Sequence, residues 1–597
     1  MASTELQLLS GTATGATTAV GALVEAGVKH LFAVHGANCE DIFAAAQGRH
    51  SDLRTVVAKH EFSAVAMADG YFRASCRLAA AMTTSGGGSL NALAALGEAA
   101  ASGVPLLALL GEPPSNLAGK GAFQDQSGSA GSMDLAHAVQ AVGAWCERVN
   151  SPLRLAGSIR RAVAAALRER RPAAILVPKD VQQGSIALVP AVADDVSRAT
   201  PSPDRDPGML DVSQPHPELP SGARCALEEA QRIVIIAGLD VVLTDSREAL
   251  QTLAELLGAA VAVEPDAMDA YDNHAPNFVG VLGAMGHPSA REAIARADLC
   301  LAVGARLGQM ATTGIADLLA ARTLLHVGSR PPWLTAQHHV PAPSSALTPA
   351  IHQVTACLSR RRMRVAATDG PHLSHLPVPR PSRGQLSYRD FAEAISASVG
   401  AGTTVVADAG NTGSAAVHYI RTPAENGRFI LALGMGGMGF SFGAGIGAML
   451  ATGKRSYVIA GDGSFLMHGL EIHTAIEYRM PITFIIVNND GNAACSGRER
   501  LILHQQSTAN IFRHSTLAGG IGAMFSAIDA RRASSVSTLR SMIEETDGDG
   551  GTHLIEVCIP NDAHPPYLPL LPAEIIEQHP TAPAVPGNDL EGYRDRD

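Results

Sequence analysis

Basic residues are in the minority along this 597-residue chain: 45 Lys and Arg stand against 56 Asp and Glu, for a net charge of −11. That balance removes the electrostatic case for a nucleic-acid or anionic-membrane partner, both of which call for clustered cations. Cysteine is sparse as well. The eight thiols, at 39, 76, 146, 225, 300, 357, 495 and 558, show no CxxC or other metal-ligand spacing, which predicts a reduced, cytoplasmic setting. Apolar runs are broken by Gly or polar residues well before bilayer-spanning length, so no membrane segment is expected. Met1 to Gly15 lacks the basic start and apolar core of a signal peptide. What remains is 46% hydrophobic and 17% charged, a soluble globular composition. The chain is too long for one core and is expected to divide into three domains.

The positive signal is strongest between Ser456 and Gly491. An apolar run ends in Gly461-Asp462-Gly463-Ser464, and a segment with Leu466, Leu470, Ile472 and Ile476 near helical spacing follows. A second apolar run, Ile482 to Val487, ends in Asn488-Asn489-Asp490-Gly491. A strand–helix–strand unit has parallel strands, so both polar clusters fall at carboxyl ends, where open α/β sheets bind ligands. Asp462 offers a carboxylate, Asn489 a carboxamide oxygen and Gly491 a backbone carbonyl, the hard oxygens that Mg²⁺ accepts alongside phosphate and water. Gly463 lets backbone amides approach a phosphate, and Ser464 can add a hydrogen bond. Either cluster alone is most simply a turn; the two together on one unit point to a metal–phosphate site.

This arrangement resembles the diphosphate-binding motif of the thiamine-diphosphate enzymes: GDG, a spacer of about two dozen residues, then NN. The resemblance implies metal ligation by Asp462, Asn489 and the Gly491 carbonyl, with Gly461, Gly463 and Ser464 around the diphosphate. Upstream, GMGGMGFSFGAGIGAML (434–450) resembles the segment in which an apolar residue, here Met438, wedges the cofactor into its V shape. The Gly436 carbonyl then faces the 4'-amino group. Asn411, in the Asp408–Thr412 strand-end turn, joins the cofactor set by the same resemblance.

Glu61 taken alone is an acid in the first turn of a helix, an ordinary dipole choice. Its surroundings, VVAKHEFSAVAMADGYFRAS, resemble the family's pyrimidine-binding segment, in which the Glu contacts the aminopyrimidine N1'. A carboxyl there favours the imino tautomer whose nitrogen removes the thiazolium C2 proton, as general acid–base catalysis requires.

The resemblance runs along nearly the whole chain and implies three doubly wound α/β domains: pyrimidine-binding (1–188), central (205–360) and diphosphate-binding (385–572). Alternating helix and strand signals in the first segment agree with this class. Pro- and Asp-rich linkers separate the domains. The central domain has no G-x-G-x-x-G, so FAD, which some members bind there, is not favoured over a scaffold role.

Four positions bear on the reaction. His35-Gly36 replaces the usual Pro-Gly turn and resembles benzaldehyde lyase and related carboligases; His35 and the neighbouring Asn38 are candidate site residues, with a structural turn as the alternative for His35. Ala37 stands where related decarboxylases carry Asp or Ser. No His-His pair follows Gly88. Phe123-Gln124 resembles the A-F-Q-E stretch of acetohydroxyacid synthase, and Gln124 can bond a substrate carbonyl without titrating. After Gly491, NAACSGRER has neither the catalytic Glu of pyruvate decarboxylase nor the Trp of acetohydroxyacid synthase. Arg498 and Arg500 are candidates for an anionic acceptor group or for solvated surface charge. A site short of proton donors favours carboligation over aldehyde release. The expected activity is therefore a thiamine-diphosphate- and Mg²⁺-dependent carboligase or lyase, acetolactate synthase-like, taking a 2-oxo acid donor and a carbonyl acceptor. The alternatives are a non-ligating 2-oxoacid decarboxylase, a flavin-dependent oxidoreductase and a non-catalytic cofactor-binding paralogue. In the family the cofactor lies between subunits, which implies a homodimer or homotetramer.

Overall fold

The computed structural model describes residues 12–187, 219–343, 346–359, 373–382, 384–505 and 509–572. Most of the expected linker around 190–222, the first part of that around 366–385 and the tail after Pro572 lie outside these ranges. The described chain forms three six-stranded sheets, each entirely parallel.

The first sheet holds β1 (His30–Ala33), β2 (Arg54–Val57), β3 (Ala80–Thr83), β4 (Leu107–Glu112), β5 (Trp145–Arg148) and β6 (Ala173–Pro178), in the order β2-β1-β3-β4-β6-β5. The second holds β7 (Ile233–Ala237), β8 (Ala260–Val263), β9 (Phe278–Val281), β10 (Leu299–Val303), β11 (Thr323–Gly328) and β12 (His338–Pro341), ordered β9-β8-β7-β10-β11-β12. The third holds β13 (Thr404–Ala407), β14 (Arg428–Leu431), β15 (Ser456–Gly461), β16 (Ile482–Asn488), β17 (Asp529–Ala533) and β18 (His553–Cys558), ordered β14-β13-β15-β16-β18-β17. The first and third sheets thus share one strand order, and the middle one has another. Central strands are continuous apolar runs because helices cover both faces. β5 was not foreseen: it is an edge strand with half-buried side chains and carries no apolar run.

The Glu61–Ser75 and Phe440–Thr452 helices form the most extensive helix pair among the described residues and join the first domain to the third. Small residues let their backbones meet. A methyl group at Gly447 would collide with the Met67 carbonyl, and one at Gly70 with Ala444. The crossover after β15 is not one helix as its spacing suggested. It breaks at Gly469–Glu471 into a 3-10 turn between Asp462–His468 and Ile472–Glu477. The break turns Leu466 and Leu470 outward, 60% and 54% exposed, while Ile472 stays in the core.

Candidate active site

The strand order of the third sheet reverses between β13 and β15, and ligands bind at such switch points. Three strand ends deliver polar groups there: Asp408 after β13, Gly461-Asp462 at the end of β15 and Asn489 after β16. Asp462 is buried. Its Oδ2 accepts the Gly491 N–H at 2.9 Å and its Oδ1 the Gly463 N–H at 3.0 Å. Burial pushes its carboxyl up to about 6, and those two N–H groups restrain the rise.

The Asn489 amide is held on one side by Tyr388, whose hydroxyl lies 3.4 Å from Nδ2. Its other end lies 2.7 Å from the Gly491 carbonyl oxygen and 3.2 Å from Asp462 Oδ1. Turning the amide would place NH₂ between those two acceptors and satisfy them. With the oxygen inward, three hard oxygens converge without a proton between them. Cis oxygens around Mg²⁺ at about 2.1 Å stand roughly 3.0 Å apart, and the two distances bracket that spacing. The donor set fits the cation.

Asp408, which the sequence reading passed over as part of a turn, is buried and organises the neighbouring loop. It accepts the Gly439 N–H at 2.9 Å, the Ser441 N–H at 2.9 Å and the Ser464 hydroxyl at 2.7 Å. The Ser464 hydroxyl is thereby committed within the protein, so any phosphate contact from this residue falls to its backbone N–H. The Asp408 clamp carries Gly436, Met438 and Gly439 on a loop with positive φ at Gly436 (66°) and Gly439 (88°). Met438 reaches Gly463: a Cβ there would lie 3.2 Å from Met438 Cε. Asn411 begins the Asn411–Tyr419 helix and bonds the Tyr388 hydroxyl, whose pKa burial pushes up to about 12. Gly461, Asp462, Gly463, Ser464, Asn489, Gly491, Asn411, Gly436 and Met438 therefore lie around one crevice. Beside it a cleft of about 170 Å³ is lined by Asn411, Met285, Met310, Arg498 and Tyr567. Arg498 faces this cleft, whereas Arg500 donates to the Asp562 carbonyl at 3.4 Å.

The first sheet presents a second cluster. Asn38 Nδ2 donates to Ser85 Oγ at 2.6 Å, and Ser85 donates onward to Gln124 Oε1 at 2.9 Å. Asn38 and Gln124 are thus joined through Ser85, which the sequence showed only as the edge of a glycine turn. Gln124 adopts φ 62°, and Phe123 beside it is 85% exposed. Glu61 stands at the start of its helix, where Oε2 accepts Asn91 Nδ2 at 3.0 Å. Gly88 is its close neighbour, with room for a Cβ only 3.1 Å from Oε1. His35 does not join the chain: its exposed ring packs edge-on against Phe43, with centroids 4.8 Å apart.

In the middle domain the switch point between β7 and β10 is filled by the chain itself. Glu264 accepts the Arg306 N–H at 3.0 Å and the Leu307 N–H at 2.7 Å, and Ala305 closes on Gly238. A carboxylate thus takes the amides a nucleotide phosphate would need. His287, His375 and His418 cluster within metal-ligand reach of one another. Both ring nitrogens of His287 and of His418 are bonded to backbone groups, so the cluster is a structural clasp.

Comparison with known proteins follows the same three divisions. Residues 13–132 match the thiamine pyrophosphate enzyme N-terminal TPP binding domain, 222–347 the central domain and 408–557 the C-terminal TPP binding domain. The chain is 27% identical over 494 residues to a probable acetolactate synthase large subunit of Methanocaldococcus jannaschii, covering 80% of each protein. It is 27% identical over 502 residues to an acetolactate synthase of Mycobacterium bovis, covering 80% of this chain and 76% of that one. A Corynebacterium glutamicum acetolactate synthase large subunit is 26% identical over 494 residues, covering 80% and 75%. No helix among the described residues is long and apolar enough to cross a membrane.

Proposed function

We propose, since the chain belongs to the thiamine pyrophosphate enzyme family, that it is a Mg²⁺-dependent carboligase that takes a 2-oxo acid donor and an acceptor carbonyl, with acetolactate synthase-like chemistry. The observation that carries this reading is the convergence of Asp462 Oδ1, the Asn489 amide and the Gly491 carbonyl beside a glycine turn at the switch point. These three groups would hold Mg²⁺ and, through it, a diphosphate. Bound thiamine diphosphate supplies a thiazolium carbon able to store the donor's acyl carbanion.

The chain's own residues do the rest. Met438, which packs toward Gly463, would give the cofactor apolar support, and the Gly436 carbonyl would be available to accept from its amino group. Glu61 holds and returns a proton at the pyrimidine nitrogen. The Asn38–Ser85–Gln124 chain runs donor to acceptor in one direction, so Gln124 Oε1 is spent on Ser85 and its NH₂ is left to bond a substrate oxygen. None of these three side chains releases a proton near neutral pH. Protonation of the donor carbon is therefore slow, and attack on a second carbonyl competes.

Glu61 and the metal ligands come from different subunits in this reading, and the active unit is a dimer or a dimer of dimers. Two features support it. The cleft beside the metal ligands is lined by the middle and third domains alone. Leu466, Met467 and Leu470, next to the metal turn, are 60, 56 and 54% exposed, a patch suited to burial against a second copy.

The test is pyruvate turnover with Mg²⁺ and thiamine diphosphate, with the carbon product identified. Acetolactate or another acyloin, lost in Glu61→Gln, is expected. Acetaldehyde as sole product, even with acceptor present, would establish the non-ligating decarboxylase instead. Full turnover by Glu61→Gln would overturn the mechanism.

A further inference from the structure

Beneath the loop that carries Gly436 lies a buried charge network that the mechanism above does not use. Glu98, near the end of the Gly87–Ser102 helix, is 2% exposed and reaches out of the first domain into the third. Its Oε1 accepts the Gly434 N–H at 3.0 Å, and its Oε2 accepts the N–H groups of Met435 at 2.5 Å and Gly436 at 3.2 Å. Three consecutive amides closing on one carboxylate form an anion nest. Gly434 has no space for a side chain, with Ala101 Cβ 2.8 Å and Glu98 Oε1 2.9 Å from where a Cβ would stand.

The carboxylate is itself held. Ser102 donates to Oε1 at 2.7 Å, and Arg73 Nη2 lies 3.4 Å from it. Arg73 is anchored by Asp69 at 2.5 Å and donates to the Leu431 carbonyl, at the end of β14, at 3.4 Å. Burial alone would raise the Glu98 pKa, but Arg73 and the Met435 and Gly434 amides hold it below its ordinary value, so the seat stays charged. A domain glue would need only the Arg73 ion pair. Here the carboxylate spends both oxygens on the turn that presents the Gly436 carbonyl.

We propose that Glu98 is a positioning residue for the cofactor site of its own subunit, while Glu61 of the same domain serves the partner's site. Each first domain then works at two active sites: one through the backbone turn it holds in its own chain, the other through a carboxylate it lends across the interface. This rests on the shared-site reading above, and the experiment separates the two.

Glu98→Gln keeps size and removes charge; the NH₂ it brings faces amide donors on one side of the nest. Its affinity for thiamine diphosphate with Mg²⁺, measured by calorimetry, is expected to fall about tenfold or more. Ser102→Ala, which removes one donor to the Glu98 carboxylate but no charged group, is expected to weaken binding in the same direction by about threefold. The decisive readout is C2-proton exchange of bound thiamine diphosphate, which needs no substrate. Unfolded and refolded mixtures of two variants give about half mixed dimers. Glu61→Gln mixed with Glu98→Gln should recover fast exchange at about a quarter of sites, because one site of each mixed dimer escapes both changes. Glu61→Gln mixed with Asp462→Asn should recover the same fraction. Recovery in the second mixture alone overturns the role of Glu98 and leaves the shared site standing. Recovery in neither overturns the shared site and this inference with it. Unchanged cofactor affinity in both Glu98→Gln and Ser102→Ala also overturns it.

Discussion

The first and third domains are the same sheet carrying different chemistry. In both, the strand order places the ends of the first four strands side by side. After the first strand stands Asn38 in one domain and Asp408 in the other. After the second comes Glu61 in one and the Gly436–Met438 turn in the other, each leading into one of the two helices that pack together. After the third come Ser85 and Asp462; after the fourth, Gln124 and Asn489. One domain thus fills the positions with a neutral amide–hydroxyl chain and a single acid. The other fills them with two buried carboxylates and an amide oxygen. The backbone frame decides where four loops meet, and a handful of side chains decides whether the meeting place binds a cation or steers a carbonyl.

Exchanging charge at one position of each half breaks the comparison most severely. Glu61→Gln is expected to lower turnover by about 10²–10⁴-fold with cofactor binding retained, read by steady-state kinetics beside calorimetry. Asp462→Asn should abolish Mg²⁺-dependent cofactor binding itself. If both variants lose only turnover, the two halves do not have separate tasks.

Next comes the joint between the halves. Gly447→Ala, at the helix crossing, forces a methyl group against the Met67 carbonyl and should cost about 1–3 kcal/mol or more. A lowered melting temperature with loss of cofactor binding would show that the crossing sets the geometry of both sites. Gly21→Ala, in an open helical position, serves as the control and should be neutral or slightly stabilising.

The clasp between the middle and third domains responds to acid. Burial holds the His418 pKa down to about 3, so the folded protein leaves it neutral while the unfolded chain binds a proton below about 6.5. Its contribution is complete above that pH and is lost as pH falls towards 3, by about 1.4 kcal/mol per unit. Thermal unfolding followed between pH 7 and 5 should show this slope, and His418→Asn should flatten it.

Finest is a change in product. Gln124→Glu inserts a titratable group into the neutral chain and should raise the share of aldehyde over acyloin several-fold as pH is lowered. A product ratio independent of both residue and pH would show that proton supply does not govern the outcome.

Much of this was legible in advance. Asp462 and Asn489 end strands that are themselves apolar runs, so period, turn residues and chemistry coincide within a short stretch. Glu61 was marked by its flanking pattern. Asp408 was within reach by the same strand-end logic but sits in a plainer turn. Ser85, Tyr388 and Glu98 carried no local signal, because each acts on a residue far along the chain: Gln124, Asn489 and Gly436. The near-helical spacing of Leu466, Leu470, Ile472 and Ile476 did not show that the first two turn outward. Helical spacing gives the phase of a face, while a break at Gly469 resets it.

The order of amino acids determined on its own the α/β class, the parallel unit at 456–491 and the identity of the metal-ligand candidates, since these depend on periodicity and turn chemistry over a few tens of residues. Only the tertiary structure decided that Asn38 reaches Gln124 through Ser85, that Asp408 consumes the Ser464 hydroxyl, that Glu264 fills the middle domain's switch point and that Glu98 seats the Gly436 turn. Those are distances between strands paired out of sequence order, and a chain's local pattern holds no record of which loops its folding will bring together.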